Sequence, residues 1–281
     1  MSKATICVVV PVYKAMATLD RCVESVLSQQ VDGGLACILV DDGSPDESGA
    51  MCDAWAAKDD RVTVIHQDDL GVSGARNSGV AAADSEFIVF LDSDDALRPG
   101  ALQAALIAQR AAPQDFVVWH YTTDEHDPAA VTADAALRPQ AGLARLWLDC
   151  LLAMPWNKLY RTDLAKQLPF DVQYTLGEDL QFVLDYIALL GQTAPGFGYR
   201  VLNSPLTFYD CSRGGTLSTR YHANYCDIWP KHFAKLNAAC HTAGCPAEDL
   251  RPLHRAELQV FAEGVADIMR RDPSPTKRLR G

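Results

Sequence analysis

The chain has 281 residues, of which 48% are hydrophobic and 22% are charged, and these proportions are typical of a globular protein rather than a disordered or fibrous one. Its 25 basic and 36 acidic residues give a net charge of −11, which argues against a general nucleic-acid-binding protein. No uncharged apolar run approaches the roughly 18 to 20 residues that a membrane-spanning helix needs.

The first 121 residues alternate between apolar, strand-like runs and helical patterns. The predicted strands are Ile6–Val12, Ala36–Val40, Val62–His66, Phe87–Leu91 and Phe116–Tyr121. The predicted helices between them are Leu19–Gln29, Glu47–Lys58, Gly74–Ala82 and Gly100–Arg110. Strands that are apolar throughout and joined by helices indicate a parallel sheet covered on both faces. Ligands of such sheets bind at the carboxyl ends of the strands, so we look for a site there.

After residue 122 the pattern weakens. Residues 122–139 are polar and are predicted as a loop. Later elements are predicted as a helix at Leu143–Leu152, a short strand at Trp156–Tyr160, a helix at Glu178–Leu190, a strand at Asn203–Tyr209 and an amphipathic helix over residues 247–270.

Three acidic clusters follow predicted strands or begin a predicted helix, and no P-loop, dinucleotide-binding or H-E-x-x-H motif competes with them. Asp41-Asp42 either shapes a turn or accepts hydrogen bonds from a ligand. Asp92-Ser93-Asp94-Asp95 either caps the next helix or binds a divalent cation, since Mg²⁺ and Mn²⁺ prefer carboxylate oxygens. Glu178-Asp179 either stabilises a helix start or supplies a base that the helix dipole keeps ionised.

One basic residue, Arg76, lies in a predicted helix that begins at the same edge of the sheet. It could meet the oxygens of a diphosphate, or it could be a surface arginine paired with one of the many acids.

The order of these motifs resembles that of the family 2 glycosyltransferases, which have the GT-A fold. The segments that carry the resemblance are Val10–Tyr13, Val40–Ser44, Gly71–Gly79, Phe90–Asp95, Trp156–Tyr160, Gly177–Asp179 and Ser212–Ser218. Together they span roughly residues 4–220. The resemblance implies an α/β fold with a mostly parallel sheet flanked by helices and a Rossmann-like nucleotide-binding half. We expect a glycosyltransferase domain over 1–220, divided into a nucleotide-sugar half (1–121) and an acceptor half (122–220), and a helical region with a basic tail over 221–281.

The resemblance also implies an inverting, metal-dependent hexosyltransferase. It would move a sugar from a nucleotide donor, usually a UDP-sugar, to the hydroxyl of a glycan or lipid-linked glycan, as in bacterial-type surface polysaccharide assembly. Asp179 would be the catalytic base, and Asp94, with Asp92, would hold Mn²⁺ or Mg²⁺ on the diphosphate. The donor would be bound by Pro11, Val12, Tyr13, Asp41, Asp42, Arg76, Asp92, Ser93 and Arg213. Two alternatives stay open: an inactive scaffold that binds nucleotide sugars, and a two-carboxylate glycoside hydrolase.

Further expectations concern the loops, the tail and the compartment. Ser212–Ser218 contains two adjacent glycines and is predicted as a mobile loop that orders over the donor. Residues 270–281 hold five basic groups, which either touch the inner face of a membrane or stay solvated. Nine cysteines without a C-x-x-C pair indicate a reducing compartment, so we expect a cytoplasmic protein. The negative net charge predicts that the protein binds no nucleic acid. A homodimer is left open.

Overall fold

The computed structural model describes residues 3–174, 176–212 and 225–271. Its strands are β1 (Ala4–Val12), β2 (Leu35–Asp42), β3 (Val62–Gln67), β4 (Ser85–Phe90), β5 (Ala96–Leu97), β6 (Phe116–Thr122), β7 (Ala135–Pro139), β8 (Lys158–Arg161) and β9 (Gly198–Phe208). Its helices are α1 (Leu19–Leu27), α2 (Ser48–Lys58), α3 (Gly71–Ala82), α4 (Ala101–Ala111), α5 (Leu143–Leu148), α6 (Thr162–Ala165), α7 (Glu178–Thr193), α8 (Tyr225–Thr242) and α9 (Ala247–Arg271).

The described strands form one mixed sheet in the order β3-β2-β1-β4-β8-β6-β9-β5, and β7 pairs with β9 beside β5. Strands β3, β2, β1 and β4 are parallel to one another, as the sequence predicts. Strand β8 enters antiparallel between β4 and β6, and it joins this parallel half to the second half of the chain. The predicted α/β class, with a mostly parallel sheet flanked by helices and a C-terminal helical region, is confirmed.

Helices cover both faces of the parallel half, which explains why β1, β2 and β4 are largely apolar, whereas the edge strand β3 is only partly buried. In β1, Val8 and Val10 belong to a core cluster shared with α1 and α4, whereas Cys7 and Val9 belong to a second cluster shared with α3 and α7. Side chains alternate between the two faces of a strand, and each face meets its own helical layer.

The close approach of α3 to β1 depends on Gly79. A Cβ atom at this position would lie 2.2 Å from Cγ1 of Val9, so any larger residue would push the helix away from the sheet. This contact sets how closely α3 packs on β1.

The prediction of a loop over residues 122–139 is wrong at its end. Residues Ala135–Pro139 pair antiparallel with Gly198–Leu202 and form β7. This strand is mostly exposed and its sequence has no alternating apolar pattern, so the sequence did not predict it. The strand is formed by main-chain pairing with β9. The two-residue strand β5 was also not predicted, and α3 begins at Gly71 rather than at Gly74.

The two C-terminal helices pack on the second half of the chain. Helix α8 lies against α5 and α7, and α9 lies against α5 and α8. Leu236, Cys240 and Leu253 are buried in the same cluster as the inner face of α7. Of the helices that the structure describes, none has both the length and the apolar character that crossing a membrane requires.

Candidate active site

The carboxyl ends of β1, β2 and β4 lie side by side and bring three predicted segments to one edge of the sheet. Val12 pairs in register with Asp41, and the amide of Leu91 donates a 3.1 Å hydrogen bond to the carbonyl of Val9. The segments around Tyr13, Asp41 and Asp92 are therefore neighbours, as parallel strands require.

Of the three residues predicted at the end of β1, Tyr13 alone exposes its side chain. Pro11 and Val12 are buried, whereas Tyr13 is 43% exposed. Pro11 and Val12 therefore offer little accessible surface at this edge. The following loop is fixed to the next connection, because the amide of Ala15 donates a 2.9 Å hydrogen bond to Oγ of Ser48.

Asp41 is held by local hydrogen bonds. Its Oδ1 accepts from the amide of Ser44 at 3.1 Å, and its Oδ2 lies 2.9 Å from Nδ1 of His66. The other ring nitrogen of His66 lies 3.0 Å from Oδ1 of Asp53. Burial acts to raise the pKa of Asp41, but the bonds from Ser44 and His66 prevail and lower it. The carboxylates of Asp53 and Asp41 in turn raise the pKa of His66.

The neighbouring Asp42 ties β2 to the connection between β3 and α3. Its Oδ1 accepts hydrogen bonds from Nε2 of Gln67 at 2.7 Å and from the amide of Leu70 at 3.0 Å. Asp42 is nearly fully buried. The structure thus gives Asp42 a part in shaping the loop that leads to Arg76.

The acidic segment after β4 forms a turn, in which the amide of Asp95 bonds the carbonyl of Asp92 at 3.0 Å. Asp92, Ser93 and Asp94 are half-buried on this turn, whereas Asp95 is fully buried. Burial, with the charges of Asp92 and Asp94, raises the pKa of Asp95 to about 9, although a hydrogen bond from the amide of Asp210 acts in the opposite direction.

Two residues that the sequence analysis missed hold this turn in place. Nη2 of Arg21 in α1 donates to the carbonyl of Asp94 at 2.5 Å and to Oδ2 of Asp210 at 2.7 Å. Asp210 follows β9, so an acid after a strand was a signal that could have found it. Nothing in the local sequence of α1 points to Arg21.

The side chain at the centre of the site is Arg76, which is 2% exposed. Its Nη1 donates to Oδ1 of Asp179 at 2.5 Å and lies 3.9 Å from Oε1 of Glu178, and its Nη2 donates to Oδ1 of Asp92 at 2.9 Å. These three acids raise the pKa of Arg76 against the effect of burial, so it stays a cation. Arg76 therefore joins the acidic turn after β4 to the start of α7.

Asp179 lies in the first turn of α7 and keeps 28% of its side chain exposed. The pKa of Asp179 is raised to about 8. Burial is the largest cause, the charges of Glu178 and Asp92 act in the same direction, and the Arg76 guanidinium opposes them. One cation is shared by three acids, so full ionisation of all three is unfavourable. The expectation that the helix dipole keeps Asp179 ionised stays a prediction, since burial acts against the charged form and the Arg76 guanidinium acts for it.

Helix α7 packs against Phe170, which α3 holds, and against Tyr160 of β8. Asn77, next to Arg76, donates from Nδ2 to the carbonyl of Phe170 at 2.9 Å and accepts from its amide at 2.8 Å. The ring of Phe170 stacks on Phe182 of α7 at 3.9 Å between centroids.

Lys158 is fully buried and donates to the carbonyls of Leu151 and Met154. The Trp156–Tyr160 segment therefore has a structural role beneath the site.

The acidic turn carries oxygen donors that suit a divalent cation. Within the described part of the chain, no group of three His, Cys, Asp or Glu side chains forms a complete ligand set. Asp92 and Asp94 nevertheless offer hard oxygen donors, and Oδ2 of Asp95 has no hydrogen-bond partner among the described residues. This donor set fits Mg²⁺ or Mn²⁺, which take one or two carboxylates and complete their shell with water and substrate phosphates.

The Ser212–Ser218 segment is described only at its first residue. Ser212 donates from its amide and its hydroxyl to Oδ1 of Asp210. Arg213 and the rest of the predicted loop lie outside the described residues, as do residues 272–281 of the basic tail.

Comparisons with known proteins identify the family of the chain. The model of the family described as "Glycosyl transferase family 2" matches residues 7–169, more than half of the chain. Glycosyltransferase GlyG of Streptococcus pneumoniae is 39% identical over 124 residues, which are 43% of this chain and 41% of GlyG. The succinoglycan biosynthesis protein ExoO of Rhizobium meliloti is 31% identical over 206 residues, 68% of this chain and 58% of ExoO.

A crystal structure of S. aureus TarS in complex with UDP-GlcNAc has the same fold, with a TM-score of 0.68 and 18% identity over 93% of this chain and 71% of that one. The chain spans about half the length of the relatives that it matches by sequence. The matched segment contains Asp41 and Asp42 at the end of β2, the acids after β4 and the whole of α3. The chain belongs to glycosyl transferase family 2.

Proposed function

We propose that this chain is an inverting glycosyltransferase that moves a sugar from a UDP-sugar to an acceptor hydroxyl during assembly of a bacterial-type surface polysaccharide or related glycan. The observation that carries the proposal is the meeting of Asp92 and Asp179 on one buried arginine, Arg76. It brings the acidic turn, which suits a diphosphate and its cation, next to an acid on another segment of the chain. The catalytic unit would be 1–220, with 221–281 as a helical region.

The nucleotide would bind at the carboxyl ends of β1 and β2. The exposed ring of Tyr13 offers a surface on which the nucleobase would stack. The carboxylate of Asp41, which already bonds Ser44 and His66, would accept a further hydrogen bond from the nucleobase. The S. aureus TarS structure that shares this fold holds UDP-GlcNAc, which makes a uridine nucleotide the first donor to test. Pro11 and Val12 would frame the nucleotide by positioning Tyr13, and Arg213 would pair with the diphosphate.

Asp94, with Asp92 beside it, would hold the cation, and Ser93 lies between them. A bound Mn²⁺ or Mg²⁺ ion supplies positive charge that stabilises a departing nucleoside diphosphate. The chain's own contribution is to fix the carbonyl of Asp94 through Arg21 and the carboxylate of Asp92 through Arg76. The main chain at Asp94 and the carboxylate of Asp92 are therefore fixed before the donor binds.

Asp179 would act as the base. The acceptor hydroxyl oxygen attacks the anomeric carbon, the bond from that carbon to the diphosphate breaks, and the hydroxyl proton passes to the carboxylate of Asp179. Attack opposite the leaving group inverts the anomeric centre. A base whose pKa lies near the working pH is the most effective, and burial brings the pKa of Asp179 into that range.

Two alternatives are distinguished by the same experiment. An inactive scaffold would bind a nucleotide sugar without releasing the nucleotide, and a two-carboxylate hydrolase would cleave glycosides without any nucleotide. The purified chain is titrated with UDP, with and without Mn²⁺, in a calorimeter and then incubated with UDP-, GDP- and dTDP-sugars and a panel of glycan and lipid-linked acceptors. We expect heat only with a uridine nucleotide and cation, and nucleotide release that depends on the acceptor. Glycoside cleavage without nucleotide would support the hydrolase instead.

A further inference from the structure

The start of α7 is held by a residue from α8, His232. Its imidazole is 0% exposed, and Nε2 lies 2.9 Å from the carbonyl oxygen of Leu176. A carbonyl only accepts, so Nε2 carries the proton and Nδ1 accepts a hydrogen bond from Nε2 of Gln181. Leu176 precedes Asp179 by three residues and Gln181 follows it by two. The imidazole thus bridges the turn that carries the proposed base.

The main chain at this turn is shaped around the ring. Gly177 has φ = +77°, a left-handed conformation that favours glycine. A Cβ atom at Gly177 would also lie 2.4 Å from Nε2 of His232. The left-handed turn and the imidazole therefore fit each other, and neither could change without moving the other.

A second contact from the same helix supports the bridge one turn further on. Nζ of Lys235 donates to the carbonyl of Gln181 at 3.3 Å and forms a 2.7 Å ion pair with Asp185. Burial lowers the pKa of His232, the bond to the Leu176 carbonyl opposes this, and the charges of Lys235 and Lys231 lower it further. The neutral ring required by the two hydrogen bonds is consequently the stable form.

We propose that His232 is a positioning residue for the transfer reaction: it fixes the first turn of α7 so that Asp179 stays against Arg76 and faces the acceptor. This inference rests on the proposed function. It assigns a role to α8, which lies outside the residues 7–169 that match the family model. His232 has no described contact with the acidic turn, so its effect should fall on the base and not on donor binding.

The test compares His232→Phe, which keeps a ring of similar size but removes both hydrogen bonds, with His232→Gln, whose amide can replace the donor at Nε2. The matched control is His254→Phe, the same change at an exposed histidine of α9 that bonds Asn237. Transfer is measured as UDP release from the donor found active in the panel, and affinity is measured with UDP and Mn²⁺.

We expect His232→Phe to lower kcat by about 10- to 100-fold, because an error of about 1 Å at a reacting group can cost this much, while the donor KM and UDP affinity stay within about twofold. His232→Gln should recover most of the rate, and His254→Phe should behave as the wild type. An unchanged kcat, or a loss of UDP affinity that parallels the loss of rate, would overturn the proposal.

Hydrogen exchange gives an arm that does not depend on activity. In His232→Phe, the amides of residues 181–185 should exchange at least about tenfold faster, since the amide of Gln181 closes the first turn of α7 on the carbonyl of Gly177, while those of α3 and β4 keep their protection. Unchanged exchange at residues 181–185 would refute the bridge even if the wild type transferred no sugar. If His232→Phe does not fold, Gln181→Met, which removes only the bond to Nδ1, takes its place with the same expected signs.

Discussion

Nη1 of Arg76 donates a 2.5 Å hydrogen bond to Oδ1 of Asp179 across a sequence separation of 103 residues. The other terminal nitrogen of the same guanidinium bonds Asp92 at 2.9 Å. A single rigid, planar group therefore sets the relative position of the acidic turn and the proposed base. Arg suits this role better than Lys, because its terminal nitrogens hold two partners in a fixed geometry.

Replacing Arg76 should destabilise the fold. In Arg76→Met, three acids lose their shared cation, and breaking a buried ion pair costs about 3 kcal/mol when the remaining groups keep some access to water. Urea unfolding measures the change. The matched control is Arg110→Met, whose pair with Glu86 is exposed and should contribute at most about 1 kcal/mol. Equal losses in both variants would argue against a central role for Arg76.

The dependence of kcat/KM on pH should report the raised pKa of Asp179. A base works only when deprotonated, so the rate should rise with pH and level off above a pKa of about 8. This rising limb should disappear in Asp179→Asn. It should remain in His66→Gln, since the carboxylates that raise the pKa of His66 belong to Asp53 and Asp41 and not to the proposed base. A limb near pH 4 would contradict the environment assigned to Asp179.

Asn77 should matter for stability. Its side chain makes two hydrogen bonds to the main chain of Phe170, and Asn77→Ala leaves both buried groups without partners, at a cost of about 2 to 3 kcal/mol. Ser78 lies on the same helix as Asn77, and Ser78→Ala removes one hydrogen bond to Gln67 of β3. This change should cost about 1 kcal/mol. Denaturation curves decide between them; a smaller loss for Asn77→Ala than for Ser78→Ala would exclude the clamp on Phe170.

Strands β1, β2 and β4 could be predicted from sequence because they are largely buried and form apolar runs. Strand β3 lies at the edge of the sheet and is only partly buried, but its run of β-branched residues still marks it as a strand. Strand β7 lacks such a signal, because it is formed by pairing with β9 and is largely exposed. Helix α8, which contains Pro230, likewise gave no periodic pattern strong enough to set its bounds.

For the site, the sequence showed the acids but not how they meet. Asp41, Asp92 and Asp179 each follow a strand or begin a helix, so their positions could be read locally. Their connection through Arg76 depends on how α3 and α7 pack in the fold, and no local sequence pattern predicts that packing. The pair of Arg21 and Asp210 was missed for the same reason, since 189 residues separate them.

Asp94 should be required for cation-dependent nucleotide binding. Asp94→Asn removes a negative oxygen donor from the acidic turn, so affinity for UDP in the presence of Mn²⁺ should fall by at least about tenfold. Chelation with EDTA should weaken binding to the wild type in the same way. Asp84→Asn, a change at an exposed acid before β4, is the matched control. Equal affinity of Asp94→Asn and wild type would remove Asp94 as a cation ligand.

The most direct test of the account measures UDP affinity and transfer rate together on Asp179→Asn. The amide has nearly the shape of the carboxylate but cannot take the proton of the acceptor, and the groups proposed to bind the nucleotide lie on other segments. We predict that affinity for UDP with Mn²⁺ is retained while transfer falls by about 10²-fold or more. Near-normal transfer by the folded variant would contradict the assignment and make Glu178 the next candidate for the base.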